Sequence, residues 1–529
     1  MEFRRKLPIG MQTFSQLIEG SYIYVDKTRC IGKVINSGKA VFLSRPRRFG
    51  KSLFVSTLDA YFNGKKELFD GLALADLEPQ MAKEEGRDAW IKYPVINITF
   101  DGCSLTSYND FINSFNTYFD YICQSYQFDS KALHEPESKF KSLIPFLYAK
   151  YNLPVVILID EYDKVLLSAI DDPELLDRYI KFFKGFYGNL KGCDQYIKFA
   201  FITGVTKFSK VSIFSDLNNL KDISMLDDYA DICGITKDEL KSEFQPEITA
   251  MAEKHQLTYT DCLAKLKQCY DGYRFTPKLL DIYNPFCLLN ALADKLFGNY
   301  WFQSGTPTFL VKAIHNVSFD LKSFDDGIEV SVKSIEGYKL DYQNIVPMMY
   351  QSGYLTIKEY DDEYETCVLG YPNDEVRYAF KEQLVLEYSY LTHNNTKLDY
   401  VTFSKYVRKG EVDKFMTAIK AMFAAIPYPT SQKKYELDYQ TIFYLIFTLL
   451  GQTMQTEVHT NTGRIDAVCE TKDFIYLFEF KLNGTVEEAL KQIDDKDYAV
   501  SYEASGKNIK KIGVAIDLEK RNIKDYKII

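Results

Sequence analysis

Short apolar runs alternate with amphipathic stretches over the first 235 residues. Ala40–Leu43, Val95–Phe100, Val155–Ile159 and Lys198–Thr203 read as strands, and segments such as Leu53–Phe62 and Tyr108–Tyr126 repeat apolar positions at helical spacing. Near-continuous apolar strands separated by helices predict a parallel sheet covered on both faces, because each strand must bury both of its sides. From 236 to 430 the pattern is mostly helical, punctuated by turns at Tyr270-Asp271-Gly272-Tyr273 and Ser304-Gly305-Thr306-Pro307, and predicts a helical lid or connector with a few strands. From 431 a third unit is expected: an amphipathic helix over Tyr435–Leu450, two strands joined by a short turn, a helix over Val486–Tyr502 and a last strand, Lys511–Ile516. The expected division is 1–235, 236–430 and 431–529.

Composition narrows the class. The 529 residues exceed what one core serves, and 46% hydrophobic with 26% charged residues is the balance of a folded chain rather than a disordered one. The 40 Tyr and 38 Phe against 2 Trp predict large aromatic cores with amphipathic rims. A net charge of −9 excludes a surface that coats polyanions generally. Local basic segments remain, at Lys507-Asn508-Ile509-Lys510-Lys511 and Lys520-Arg521, and each by itself reads as a solvated face. Ten scattered cysteines with no CxxC exclude a zinc module and fit a reducing compartment, and the five dispersed histidines offer no triad. The basic start, Met1–Lys6, leads into Leu-Pro-Ile-Gly rather than an apolar signal core. The apolar runs Val155–Ile159 and Ile442–Leu450 are too short to span a bilayer, so a cytoplasmic protein without a membrane partner is expected.

Two motifs carry chemistry. Ser44-Arg45-Pro46-Arg47-Arg48-Phe49-Gly50-Lys51-Ser52 lies between a strand and a helix, the setting in which free backbone N–H groups face phosphate oxygens. Gly50 would allow the close approach, Lys51 would supply the cation for the β- and γ-phosphates, and Ser52 a hydroxyl for Mg²⁺. The glycine that usually stands six residues before the lysine is Arg45 here, so a strand-to-helix turn without a ligand is the competing reading of the loop alone. Val155–Ile159 then runs into Asp160-Glu161. A buried strand accounts for the apolar run but not for acids at its carboxyl end, where Asp160 would hold Mg²⁺ through water and Glu161 would polarise the attacking water. Thr203, ending the strand Lys198–Thr203, is a candidate γ-phosphate sensor or an ordinary strand end. Nothing like a guanine-reading NKxD motif follows, which disfavours a GTPase and makes ATP the expected nucleotide.

Gly463-Arg464-Ile465-Asp466 and Phe478-Glu479-Phe480-Lys481 form the second motif. Strand alternation puts Glu479 and Lys481 on one face and the two phenylalanines on the other, in the core. A hairpin loop of about four residues places Asp466 opposite Glu479, within reach of a shared Mg²⁺ or Mn²⁺, with the Phe480 carbonyl, Glu436 and Glu457 as further ligands. Such a set can cut a phosphodiester, with Lys481 orienting water or offsetting charge. Gln492 and Lys496 share a helical face that, with Tyr498, could line a DNA groove. A half-buried hairpin with exposed charges is the competing reading.

In these residues the chain resembles a bacterial family, abundant in Bacteroidetes-type genomes, with an N-terminal AAA-ATPase-like domain and a C-terminal PD-(D/E)XK nuclease domain. The resemblance runs nearly the whole length, through Leu7-Pro8-Ile9-Gly10, Tyr24-Val25-Asp26-Lys27-Thr28, the Ser44–Ser52 loop, Ile159–Asp163, Phe214-Ser215 with Asn218-Asn219-Leu220, Trp301–Pro307 and Gly463–Lys481. It implies nucleotide contacts from Arg47, Arg48, Phe49, Gly50, Lys51 and Ser52, metal and water roles for Asp160 and Glu161, and nuclease chemistry at Asp466, Glu479 and Lys481. AAA-type relatives often form rings, which makes a homo-oligomer one implied partner, but no clear arginine finger stands out: Arg47, Arg48 and Arg274 are conceivable, and each reads first as surface or phosphate-loop support. The expected protein is a P-loop ATPase coupled to metal-dependent DNA cleavage, in defence or mobile-element processing. The rival is an ATP-dependent switch or scaffold that binds nucleic acid or protein without cutting.

Overall fold

The computed structural model describes residues 5–207, 212–214, 219–304, 323–335, 337, 345–388, 405–424, 454–460, 463–517 and 522–529. The chain divides into two compact units, Met1–Leu310 with Lys322–Arg377, and Val311–Leu321 with Tyr378–Ile529.

In the first unit, β1 (Ala40–Ser44), β2 (Val95–Thr99), β3 (Val155–Asp160), β4 (Ile197–Gly204) and β5 (Leu220–Asp222) make a parallel sheet in the order β2-β3-β4-β1-β5. β3 is buried at all six positions, the first five as their uninterrupted apolar run requires and the sixth being Asp160. Because β4 separates β1 from β3, the loop after β1, the acids after β3 and the end of β4 converge on one edge: Leu43 pairs with Thr203, and Ile159 with Ile202. That is the carboxyl end of the sheet, where open α/β folds bind ligands.

The aromatic surplus has a structural home. Helices Tyr108–Ser125, Pro136–Tyr151 and Pro173–Gly192 interlock through Phe111, Phe115, Phe119, Phe140, Phe182, Phe183 and Phe186, all buried. Phe140 stacks on Phe186 with centroids 4.5 Å apart, and Phe100 from the end of β2 stacks on Phe115 at 5.0 Å. Rings at 111, 115 and 119, and at 182 and 186, recur every four positions and so share one helix face.

Of the residues expected as a separate connector, 236–310 and 322–377 cluster with this sheet, and 311–321 and 378–430 with the second unit. The former include the pair β6 (Ile235–Thr236) and β7 (Ile282–Tyr283), helices Lys237–Glu243, Gln245–His255, Tyr259–Tyr270 and Pro285–Asp294, and an antiparallel sheet of β8 (Ile328–Ser331), β9 (Thr356–Asp361) and β10 (Thr366–Gly370) in the order β8-β10-β9. Arg274, a conceivable arginine finger, is engaged inside this region: Nε donates to Asp281 at 2.6 Å and Nη1 to the Lys358 carbonyl at 3.0 Å.

The second unit carries a five-stranded sheet, β11 (Met454–Thr460), β12 (Gly463–Glu470), β13 (Phe474–Leu482), β14 (Asn508–Asp517) and β15 (Asn522–Ile528), in sequence order. β13 and β14 are parallel and the other neighbours antiparallel. Helix Val486–Asp495 makes the crossover between the parallel strands. It packs closely on β14 at Gly513, where an added Cβ would stand 2.7 Å from the Val486 carbonyl. The helix expected over Val486–Tyr502 stops at Asp495, Asp497 takes φ 50°, and a short helix resumes at Val500–Glu503. Asp494 and Asp495 at the last turn oppose the helix dipole, and the left-handed residue ends the helix. The expected helix Tyr435–Leu450, with Glu436, lies outside the described residues.

Candidate functional sites

The Ser44–Ser52 loop hands β1 to helix Lys51–Phe62. Gly50 has φ +95°, a conformation costly for any side chain, and its carbonyl accepts the Phe54 N–H at 3.0 Å to start the helix. Lys51 is buried and its Nζ donates to the carbonyls of Arg45 and Pro46, both at 3.0 Å. Burial pulls its pKa down, against the opposing attraction of Asp160 and Asp163.

Arg45 explains the missing glycine. Its side chain donates to the carbonyls of Ser44 (2.9 Å), Ser224 (2.8 Å) and Tyr229 (2.9 Å), and its guanidinium lies 4.4 Å from the Phe275 ring centre. The residue therefore anchors the back of the loop to the segment after β5. Phe49 anchors it too, with its ring 4.8 Å from Tyr273 and 5.2 Å from Phe275, and its carbonyl accepting the Gly234 N–H at 3.0 Å. What Phe49 can offer a phosphate is backbone, since its ring is core. Arg48, at φ +67°, lies over Phe286 at 4.1 Å.

At the end of β3 the buried Asp160 carboxylate accepts the Glu161 N–H at 3.0 Å and a hydrogen bond from the Ser52 side chain. Burial raises its pKa while Ser52 and Lys51 pull it back. A buried carboxylate against a hydroxyl, next to an ammonium, is a donor pair that fits Mg²⁺. Glu161, at φ 51°, has its pKa pushed up to about 7 by burial first and then by the Asp101 carboxylate, which is ion-paired with Lys164. Asp163 accepts the N–H groups of Val205 (3.0 Å) and Thr206 (2.6 Å) and the Thr206 hydroxyl (2.7 Å), stapling the exit of β3 to that of β4. Thr203 Oγ1 is buried with no hydrogen-bond partner among the described residues.

A cavity of about 620 Å³ opens on this edge, a volume suited to a nucleotide. Its polar lining includes Arg47, Lys51, Ser52, Asp101, Glu161 and Lys164, and its apolar lining Met11, Ile23, Val25, Ile232, Phe286 and Leu289. Glu161 and Val205 line the cavity, whereas Asp160 and Thr203 are buried and do not line it. Tyr24, Val25 and Lys27 of the Tyr24–Thr28 segment also line it, with Lys27 Nζ held by Glu239 at 2.6 Å. Asp101 was missed in the sequence, although the rule that finds Asp160 also finds an acid just past β2.

In the second unit, Ala467 pairs with Phe478, so the next pair along the antiparallel ladder is Asp466 and Glu479. Asp466 Oδ2 accepts the Phe480 N–H at 2.8 Å. Glu479 is 1% exposed, one oxygen 3.3 Å from Lys481 Nζ and the other, Oε2, with no hydrogen-bond partner among the described residues. Burial first, then Asp466, lifts its pKa to about 7 against the pull of Lys481. Lys481 Nζ also donates to Gln492 Oε1 from the crossover helix. An orphaned buried carboxylate oxygen beside a second carboxylate is a donor set that fits a divalent cation. Among the described residues no group of three His, Cys, Asp or Glu is assembled as a metal cage, and the Glu457 side chain lies outside what is described.

Three expectations change here. The Glu479 face is itself core, since Ile475 and Leu477 on that side pack with Leu490 and Ile493, while Phe480 on the opposite side is only half-buried. Tyr498 is not on a groove: it is 1% exposed in the same cluster, because the helix ends before it and the chain turns inward. Lys496 caps the helix C-terminus rather than continuing the Gln492 face. The basic segment is internally engaged, with Lys507 on Glu470 at 2.6 Å, Lys510 on the Gly410 carbonyl at 3.1 Å, and Lys511 on Asp494. Lys520-Arg521 lie outside the described residues.

These two constellations define a chain with a P-loop, AAA-ATPase-like domain and a PD-(D/E)XK nuclease-like domain, and comparison with known proteins gives the same assignment. A family model described as a predicted AAA-ATPase matches residues 8–214, and one for the PD-(D/E)XK nuclease superfamily matches 434–526. An uncharacterized protein in the vnfD 5′ region of Azotobacter chroococcum mcd 1 is 33% identical over 544 residues, covering 98% of each chain. The chain belongs to the family of that protein. Among solved structures, the ORC2 protein of Aeropyrum pernix aligns with 66% of this chain and 90% of its own at 10% identity, with a TM-score of 0.27. No helix among the described residues is long and apolar enough to cross a membrane.

Proposed function

We propose that this protein is an ATP-hydrolysing, metal-dependent nuclease that cuts DNA in the cytoplasm, the nucleotide site controlling the cutting. The observation that carries the reading is the pairing of Asp466 with Glu479 beside Lys481, in the same chain as Lys51, Ser52, Asp160 and Glu161 around a nucleotide-sized cavity. At the first site, the loop N–H groups and Lys51 bind phosphates, and Ser52 with Asp160 would hold Mg²⁺, which supplies charge neutralisation on the phosphates. Glu161, once ionised, takes the proton of the attacking water. At the second, Asp466 and Glu479 would hold Mg²⁺ or Mn²⁺, which supplies Lewis acidity at the scissile phosphate. Lys481, steadied by Gln492, stands where it can orient water or meet developing negative charge. Gln492 is the groove contact this reading keeps. Ring assembly and a role in defence or mobile-element processing are consistent with it.

One observation favours the rival switch that binds without cutting: only two carboxylates meet at the second site among the described residues. Phosphate release from ATP and cleavage of plasmid and linear DNA, each with Lys51→Ala and Glu479→Gln, separate the two readings. ATP turnover without cleavage under any metal would favour the switch.

A further inference from the structure

A second cavity in the first unit, of about 140 Å³, lies against Ser44, Arg45 and Pro46 of the phosphate loop and the segment after β5. Two cations, Arg45 and Lys207, and one carboxylate, Asp222, line it, so its wall carries a net charge of +1. Arg45 is only 2% exposed, yet its three hydrogen bonds all run to main-chain carbonyls. Among the described residues its Nε has no hydrogen-bond partner, and no carboxylate stands within ion-pairing distance of the guanidinium.

Burial lowers the Arg45 pKa from the usual arginine value, but a guanidinium stays protonated near neutral pH. Asp222 and Asp231, whose charges act on it, are already paired, the first with Lys207 at 2.5 Å and the second with Arg29. Asp222 also accepts the Ser224 N–H at 2.9 Å. Ser224 Oγ in turn accepts the Ser44 N–H at 2.9 Å and the Ser44 hydroxyl at 3.1 Å, which leaves its own proton without an acceptor among the described residues. A buried cation without a counter-ion is costly, and the groups left to act in this wall are donors, which suit an anion.

We propose that this cavity binds one small monovalent anion, a halide of chloride's class, as the counter-ion of Arg45. One net positive charge calls for one negative charge, and the volume admits a halide but not a nucleotide or a sugar acid. Phe275 and Ile335 in the wall suit an ion that sheds its water readily. The anion would brace the phosphate loop from behind, because the Arg45 carbonyl accepts Lys51 Nζ at 3.0 Å. The proposal rests on neither the ATP reading nor the nuclease reading.

The test has two parts, both on the full chain. Crystals grown in bromide in place of chloride are expected to show a bromide anomalous peak in the cavity beside Arg45. Thermal unfolding at constant ionic strength is expected to move the first unit's transition up by about 2 °C, saturably, when chloride replaces gluconate, which is too large for the cavity. Arg45→Met removes the charge and the chloride effect together. Should that variant fail to fold, Lys207→Met carries the same prediction, since it releases Asp222 to pair with Arg45. A cavity without bromide overturns the proposal. So does a bromide peak with no chloride-dependent shift in the wild type, which marks an adventitious ion only, or a shift retained in the variant.

Discussion

Glu479 and Glu161 are both carboxyls held near pKa 7 by burial and by a second acid, Asp466 in one case and Asp101 in the other. A carboxyl whose pKa is raised on folding binds more protons in the native state than in the unfolded chain, so stability falls as pH rises from about 4.5 through about 7. For Glu479 the full cost is present above pH 7 and absent below the unfolded pKa. Glu479→Gln is therefore expected to stabilise the protein by about 1–2 kcal/mol at pH 8, with the difference vanishing near pH 4, while abolishing cleavage. Thermal unfolding of both proteins across that range checks the sign. Glu161 must lose its proton to act as a base, so ATP turnover should rise through pH 7. Asp101→Asn removes the nearby negative charge and should move that acidic limb to lower pH, read from a kcat–pH profile. Glu161→Gln should cost about 10²–10⁴ in kcat with little change in nucleotide affinity.

Elements divide into those their sequences declare and those that depend on neighbours. β1 to β4 were legible because each is a near-continuous apolar run, broken before their polar ends only by Asn97 in β2 and Lys198 in β4, and their ends fixed where Asp160, Glu161 and Thr203 would converge. The Asp466–Glu479 pair was legible from hairpin register alone. The helix break at Asp495 was not, since the apolar spacing continues through Tyr498 and only the acids at the last turn and the backbone of Asp497 betray it. β11 and β15, at the sheet edges, and the inclusion of residues 236–310 in the first unit rest on contacts distant in sequence. The Arg45 anchor was invisible for the same reason, its partners lying near 224, 229 and 275. The helix Val486–Asp495 closes on β14 through Gly513, and Gly513→Val should destabilise the second unit by about 1–3 kcal/mol, measured by urea unfolding.

In the whole molecule an AAA-ATPase-like domain and a PD-(D/E)XK nuclease-like domain share one chain, and the proposed function gives control to the first and cutting to the second. ATP with Mg²⁺ at about 100 times its Kd should stabilise the first unit by about 2.7 kcal/mol, visible as an upward shift of its calorimetric transition and lost in Lys51→Ala. Control of cutting by ATP is the central claim, and DNA cleavage measures it most directly: plasmid and linear substrates with Mg²⁺ or Mn²⁺, with and without ATP, comparing wild type, Asp466→Ala and Lys51→Ala. The account predicts cutting by the wild type, none by Asp466→Ala, and lost or unregulated cutting by Lys51→Ala. Cutting that persists in Asp466→Ala, or that is identical in wild type and Lys51→Ala with or without ATP, would contradict it.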